Sequence, residues 1–238
     1  MASEALSSAE LPPPWLARPA GVGPGRGVVA GFDRLLAGLG RPGPGGAVPV
    51  IEYRLAAPKW RFLCHAVDVG GLLLHGSGDP DIRVLEPRQP EDDSELGSRP
   101  GVYAAADGIW PMFFATVDRE RHRFLMSSMG ARPGDLGPPA PAFYYFSLTA
   151  EVLARRPWRA GSVYLLPPDG FELQAPMVAR GVRVRPAQAV CPRPVRPVAR
   201  IAVEPADFPF LGQVLPHDDE ELLAMAAAEP LGFPWLGH

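Results

Sequence analysis

The chain carries 31 prolines and 26 glycines in 238 residues, close to one residue in four. Proline has no N–H to give a helix or a ladder, and glycine loses the most backbone entropy in either. Regular elements must therefore be short and closely punctuated. Apolar runs of strand length between the breakers fall at 48–55, 71–75, 101–105, 123–129, 142–148, Gly161–Leu166, 177–184 and 197–203. That spacing predicts an α+β fold: a compact sheet core with few short helices.

Two helices are expected. Asp107 stands where an N-cap belongs and Pro111 suits a first turn, which predicts a short helix over 109–117. Asp218 and Asp219 precede Glu220, Glu221, Leu222 and Leu223, which predicts a capped terminal helix with acids at its positive end. The stretch 60–69 fits neither period. Residues 1–47 read as a flexible Pro/Gly-rich arm in which only Phe32–Leu36 suggests a turn or two of helix. The chain thus divides into an arm (1–47), a domain (48–215) and a terminal helix and tail (216–238). Residues 79–100, with Glu91, Asp92, Asp93 and Glu95, read as a solvated loop.

Apolar residues make up 47% and charged residues 21%, enough for a sizeable core. A net charge of −3 gives no overall attraction to nucleic acid or to an anionic membrane. The two cysteines, Cys64 and Cys191, lie far apart and read as free, buried thiols. Neither they nor His65, His122 and His217 show metal-ligand spacing, so no metal is expected. No basic start with an apolar core opens the chain, and no run reaches the ~20 apolar residues of a membrane span. The expected location is cytoplasmic, with secretion by a dedicated machine left open.

The most distinctive run is Leu72-Leu73-Leu74-His75-Gly76-Ser77-Gly78, a buried strand ending in a tight loop. An α/β-hydrolase oxyanion loop has this form, but it requires a Gly-x-Ser-x-Gly elbow downstream, and none follows. Gly101-Val102-Tyr103-Ala104 comes one loop later, and Trp110-Pro111-Met112-Phe113-Phe114 follows on a helix. A His-Gly-Ser strand end, a Gly-x-Tyr strand and an aromatic residue ten or eleven positions on resemble the ADP-ribosyltransferase fold. The likeness is to its His-Tyr-Glu branch of diphtheria-type toxins and poly-ADP-ribose polymerases, and it covers residues 71–115.

The resemblance implies an NAD-binding pocket. His75 would hold a ribose hydroxyl on the adenosine side. Gly76, beside Ser77, would let the backbone approach the nicotinamide carboxamide. Tyr103 and Phe114 would sandwich the nicotinamide ring, each contact worth about 0.5–1.5 kcal/mol. The family's third residue is a Glu on a later strand that steadies the charge developing on the ribose. Here Gln188 falls nearest that place, with Glu172 and Glu204 as further candidates, and Pro111 occupies a position that is often serine in the family. The implied activity is transfer of ADP-ribose from NAD to a macromolecular acceptor or to water. Two alternatives stand beside it. One is a non-catalytic nucleotide- or protein-binding module on the same fold, consistent with an uncharged third position. The other is an RNA 2′-phosphotransferase, which needs basic residues around the His strand, where Arg83 and Arg88 lie. Arg180, Arg183, Arg185, Arg193, Arg196 and Arg200 form a run without acids that suits a pyrophosphate, an RNA backbone or a solvated sheet face.

Overall fold

The computed structural model describes residues 15–20, 25–40, 46–89, 99–121, 124–179 and 182–229. The acidic cluster at 91–95, His122, Arg180 and the tail beyond 229 lie outside them. In chain order the elements are β1 (Leu16–Ala17), α1 (Arg26–Ala37), α2 (Lys59–Asp68), β2 (Leu73–Ser77), β3 (Val102–Ala105), α3 (Trp110–Thr116), β4 (Met126–Pro133), β5 (Phe143–Thr149) and α4 (Ala150–Ala154). There follow β6 (Gly161–Leu166), β7 (Glu172–Leu173), β8 (Met177–Ala179), β9 (Val182–Pro186), β10 (Gln188–Cys191), β11 (Ala199–Val203), β12 (Leu215–His217) and α5 (Asp219–Ala228).

The strands form two six-stranded sheets, ordered β1-β5-β4-β9-β8 with β12 on β5, and β11-β6-β2-β3-β10-β7. All ladders are antiparallel except β12 on β5. The fold is therefore α+β with short helices. One continuous stretch passes between the sheets: β9 pairs β4, and β10 pairs β3. At the crossing, Ala187 accepts from Ala106 N–H and donates to Gly130 O, each at 2.7 Å. These bonds keep the buried backbone satisfied where it changes partner.

The main core lies between the sheets. One face of the second sheet supplies Leu74, Ala105, Val163, Leu165, Ala199, Ile201 and Val203. They meet Tyr144, Phe146 and Leu148 of β5 and the apolar side of α3. A smaller cluster covers the reverse face, where Leu73, Val102, Ala104 and Tyr164 meet Leu85 and Val195.

Several sequence expectations change here. The described parts of the arm are packed rather than loose. β1 pairs β5 at Leu16–Tyr144 and Ala17–Phe143, and α1 buries Phe32, whose ring meets Phe62 of α2 at 5.8 Å. Within α1, Gly31 admits close packing on Leu55, from which a Cβ there would lie 2.9 Å. Residues 48–55 form no strand: their backbone pairs with a sheet at a single bridge, Val50 with Arg200, and Ile51 packs into the main core. The stretch 177–184 is not one strand: Met177–Ala179 and the residues from Val182 belong to two strands, β8 and β9, that pair antiparallel. The terminal segment is joined to the domain, since His217 at the end of β12 bonds Ser147 Oγ at 2.9 Å through Nδ1. Asp218 caps α5 by accepting Glu221 N–H, as expected.

Candidate functional site

β2 pairs β6 along its whole length, from Leu73–Leu166 to Ser77–Ser162, but meets β3 at the single register pair Leu74–Ala105. Beyond that pair, His75 Nδ1 lies 2.7 Å from the Tyr103 carbonyl oxygen. A carbonyl only accepts, so Nδ1 carries the hydrogen. Burial holds the His75 pKa below its ordinary value, the Arg119 and Arg88 charges act in the same direction, and the Tyr103 bond opposes them. The ring is then neutral at pH 7, and Nε2 offers a lone pair. No described residue hydrogen-bonds Nε2.

Gly76 is where α3 presses on the sheet. A Cβ there would sit 1.8 Å from Pro111 O and 3.0 Å from Ala115 N, both backbone atoms. Alternation along β2 sends Gly76 and the imidazole to opposite sides, while the Leu74–Ala105 register puts Tyr103 on the side of Gly76. Ser77 is occupied locally: its Oγ accepts Asp79 N–H at 3.1 Å. Tyr164 fixes the following loop by donating to Asp79 O and accepting Ile82 N–H.

Tyr103 lies on β3 and Phe114 on α3, the helix that packs on the Gly76 side of the sheet. The Tyr103 hydroxyl donates to Arg99 O at 2.5 Å. Phe114 is partly buried, meets Trp110 and Phe113 at ring separations of 5.9 and 5.7 Å, and carries the Arg119 guanidinium 5.9 Å from its centroid.

The candidates for the third position lie differently. Gln188 opens β10 directly opposite Ala105, one strand from Tyr103, and its side-chain amide bonds no described residue. Glu172 lies on the edge strand β7, opposite Val190, which is itself opposite Tyr103. Its carboxylate is 62% exposed and accepts from Arg99 at 3.0 Å. Glu204 follows β11 and belongs to a turn, where its N–H donates to Asp207 Oδ2 at 2.8 Å. The arginine run of the sequence does not form one surface. Arg183, on β9, pairs with Asp135, while Arg200 lies on β11 of the other sheet.

Two features were not foreseen from the sequence. The first is a set of guanidinium groups around the end of β2. Arg159 packs on Gly78, where a Cβ would lie 1.7 Å from its NH2, and is held by Glu120 at 3.0 Å and Asp118 at 3.9 Å. Arg119 and Arg88 pair with no carboxylate among the described residues. The second is a buried ionic cluster behind α3. Asp107 is fully buried: Oδ1 accepts Ile109 and Trp110 N–H at 2.8 Å, and Oδ2 accepts the Tyr144 hydroxyl at 2.8 Å and Arg18 at 3.2 Å. Arg18 also bonds Asp68 at 2.7 Å, and buried Arg132 lies 3.6 Å from Asp68 and 3.9 Å from Asp107. Burial works against the Arg18 charge, yet Cys64, Tyr144, Asp107 and Asp68 hold its pKa above the ordinary value. The N-cap of α3 is Ile109 rather than Asp107; Asp107 satisfies the Ile109 and Trp110 N–H groups from two residues ahead of it and also neutralises cations contributed from elsewhere in the chain.

No protein-family model, curated protein or solved structure matches the chain. Among the described residues no group of three His, Cys, Asp or Glu side chains could hold a metal ion, and no helix is long and apolar enough to cross a membrane.

Proposed function

We propose that the chain is an NAD-binding protein of ADP-ribosyltransferase type, with its pocket at the divergence of β2 and β3. The observation that carries this reading is the His75–Tyr103 pair. A neutral imidazole fixed through Nδ1 leaves Nε2 to accept a ribose hydroxyl, on the strand that also carries Gly76. In this reading Tyr103 and Phe114 are the aromatic faces for nicotinamide; the side of Gly76 that lacks a Cβ is filled by Pro111 O and Ala115 N of α3, so only the backbone edge of Gly76 is left for the carboxamide.

In the transferase form, the nicotinamide–ribose bond breaks, nicotinamide leaves with the bonding electrons, and the acceptor oxygen or nitrogen attacks the ribosyl carbon and gives up its proton. Protein groups position the donor and stabilise charge in this step. Gln188 supplies a hydrogen-bonding amide and Glu172 a carboxylate two strands from Tyr103. The absence of charge on Gln188 and the pairing of Glu172 with Arg99 favour a second reading, a nucleotide-binding module that holds NAD without turning it over.

Nicotinamide release and a thermal-shift titration on the same NAD⁺ series separate the two. Release that disappears in His75→Ala supports the transferase. A shift without release supports the module. No shift at millimolar NAD⁺ refutes both.

A further inference from the structure

The segment 79–88 leaves the end of β2 and rejoins the sheet farther across it. Tyr164 of β6 holds its first turn: the hydroxyl donates to Asp79 O at 2.7 Å and accepts Ile82 N–H at 3.2 Å. Leu85 then exchanges backbone hydrogen bonds of 2.8 and 2.9 Å with Val195, just beyond β10, and Arg88 exchanges two of 3.0 Å with Gly101, next to the start of β3. The strands here run in the order β6-β2-β3-β10, so the chain crosses β2 and β3 between Tyr164 and Val195. The face it crosses is the face of His75. Directly paired residues of a sheet point the same way, and His75 is paired with Tyr164. Leu73, two residues before His75, points that way too. Ile82 and Leu85 belong to the apolar cluster that Leu73, Val102, Ala104 and Tyr164 form on this face.

The two parts of the segment are held unequally. Leu85 is buried and bonded through its backbone. Residues 79–84 pair with no strand, and Asp79, Pro80, Asp81 and Arg83 are exposed. Gly78, where the segment begins, is fixed by the Arg159 guanidinium packed against it. Bonds from Asp79 N–H to Ser77 Oγ and from Asp81 N–H to Asp79 Oδ1 shape the turn but span two residues each. Among the described residues, Tyr164 is the hydrogen-bonding partner that ties this turn to another strand. A stretch with few backbone partners and much exposed surface opens at low cost. Lifting it passes Asp79 O and Ile82 N–H to water, so opening leaves neither unsatisfied.

We infer that residues 79–84 are a lid over the His75 imidazole and that the Tyr164 hydroxyl is its latch. His75 Nδ1 is tied to Tyr103 O, so Nε2 is the atom whose access the lid controls. A ring that is partly buried, with burial the leading cause of its lowered pKa, agrees with such a cover. Tyr164 is a positioning residue: it holds the turn and touches no ligand. The lid's part in admitting a nucleotide rests on the reading of His75 given above, but its place over the imidazole does not.

Diethyl pyrocarbonate, which acylates a neutral imidazole nitrogen, reads the lid directly when the modified sites of the full chain are followed by peptide mass spectrometry at pH 7. Tyr164→Phe keeps the packed ring and removes the hydroxyl. It is expected to speed modification of His75 about 5- to 30-fold, the weight of one to two net hydrogen bonds. Ile82→Ala, which thins the cover and leaves Tyr164 intact, should speed it as well. His217, whose side chain is 2% exposed, reports opening of the whole fold in the same samples. A faster His75 with a constant His217 supports the lid. An unchanged His75 rate in Tyr164→Phe overturns the latch, an unchanged rate in both variants overturns the lid, and His75 and His217 rising together overturns it too. The same reactions with millimolar NAD⁺ separate the two readings. Acceleration by Tyr164→Phe without any protection of His75 by NAD⁺ supports the lid and refutes NAD as the ligand, whereas protection by NAD⁺ with equal rates in wild type and variants overturns the lid and leaves the NAD reading standing.

Discussion

Replacing Asp107 with Asn tests the buried cluster that sets α3 against the sheet. Asn retains an oxygen for Ile109 and Trp110 N–H, so these bonds survive. Its NH2 then faces Arg18 NH2, 3.2 Å from the present Oδ2, and Arg132 NH2, 3.9 Å away. The acceptor of the Arg18 and Tyr144 hydrogen bonds becomes a donor, and the cluster changes from two cations and two anions to two cations and one anion. Breaking a buried charge pair by removing one member costs about 3–5 kcal/mol. For a chain of this size that lowers Tm by roughly 6–20 °C, a large part of a typical total stability. Urea denaturation gives the number directly: the midpoint should fall at constant slope. Arg18→Met removes the partner, so the double variant should be less destabilised than the sum of the singles. A loss below about 1 kcal/mol in Asp107→Asn, or additive losses in the pair, refutes the proposition that these charges hold one another.

Two further outcomes are expected. Gly76→Ala forces a methyl against Pro111 O and Ala115 N. No rotamer relieves a backbone clash, so α3 must move, at about 1–3 kcal/mol or more and with loss of any nucleotide-induced thermal shift. Gly212→Ala, with nothing within 4 Å, should change neither. His75 and His217 both have folded pKa values pushed below 6.5, chiefly by burial. Protons therefore favour the unfolded chain, and the stability these groups contribute is complete above about pH 6.5 and lost as pH falls through the folded values. Urea midpoints across that range should show a shallower decline in His75→Gln than in wild type; an identical decline would mean the imidazole is not shielded.

Part of this arrangement was legible in the sequence because it is local. Leu72–Leu74 before His-Gly is a strand end, Asp107 before Pro111 is a helix start, and Asp218 before two glutamates is another. The third-position candidate Gln188 was placed on its strand only by the structure, because 188–191 is a short run hemmed in by prolines at 186 and 192. Most of helix α1 was hidden because the glycines up to Gly27 read as breakers, yet the helix runs from Arg26 to Ala37 and includes Gly31, which packs on Leu55. Helix α2 was ambiguous because its buried positions Phe62, Leu63, Ala66 and Val67 share ten residues with Lys59, Arg61, His65 and Asp68. Nothing local shows that Arg132 is buried: its neutralising acids lie at 68 and 107, in other elements. The packing of Arg159 on Gly78 at the end of β2 is likewise a property of the turn before β6, not of any motif.

The Arg18 anchor has a consequence for biosynthesis. Leu16 and Ala17 leave the ribosome early, but the strand that receives them runs from Phe143 to Thr149, and Arg18 meets Asp107 across 89 residues of chain. The segment therefore stays unpaired until Phe143–Thr149 has been made, with Asp107 and Asp68 lacking the Arg18 counter-ion until then. A product truncated ahead of Thr149 therefore leaves Leu16 and Ala17 without the strand that pairs them.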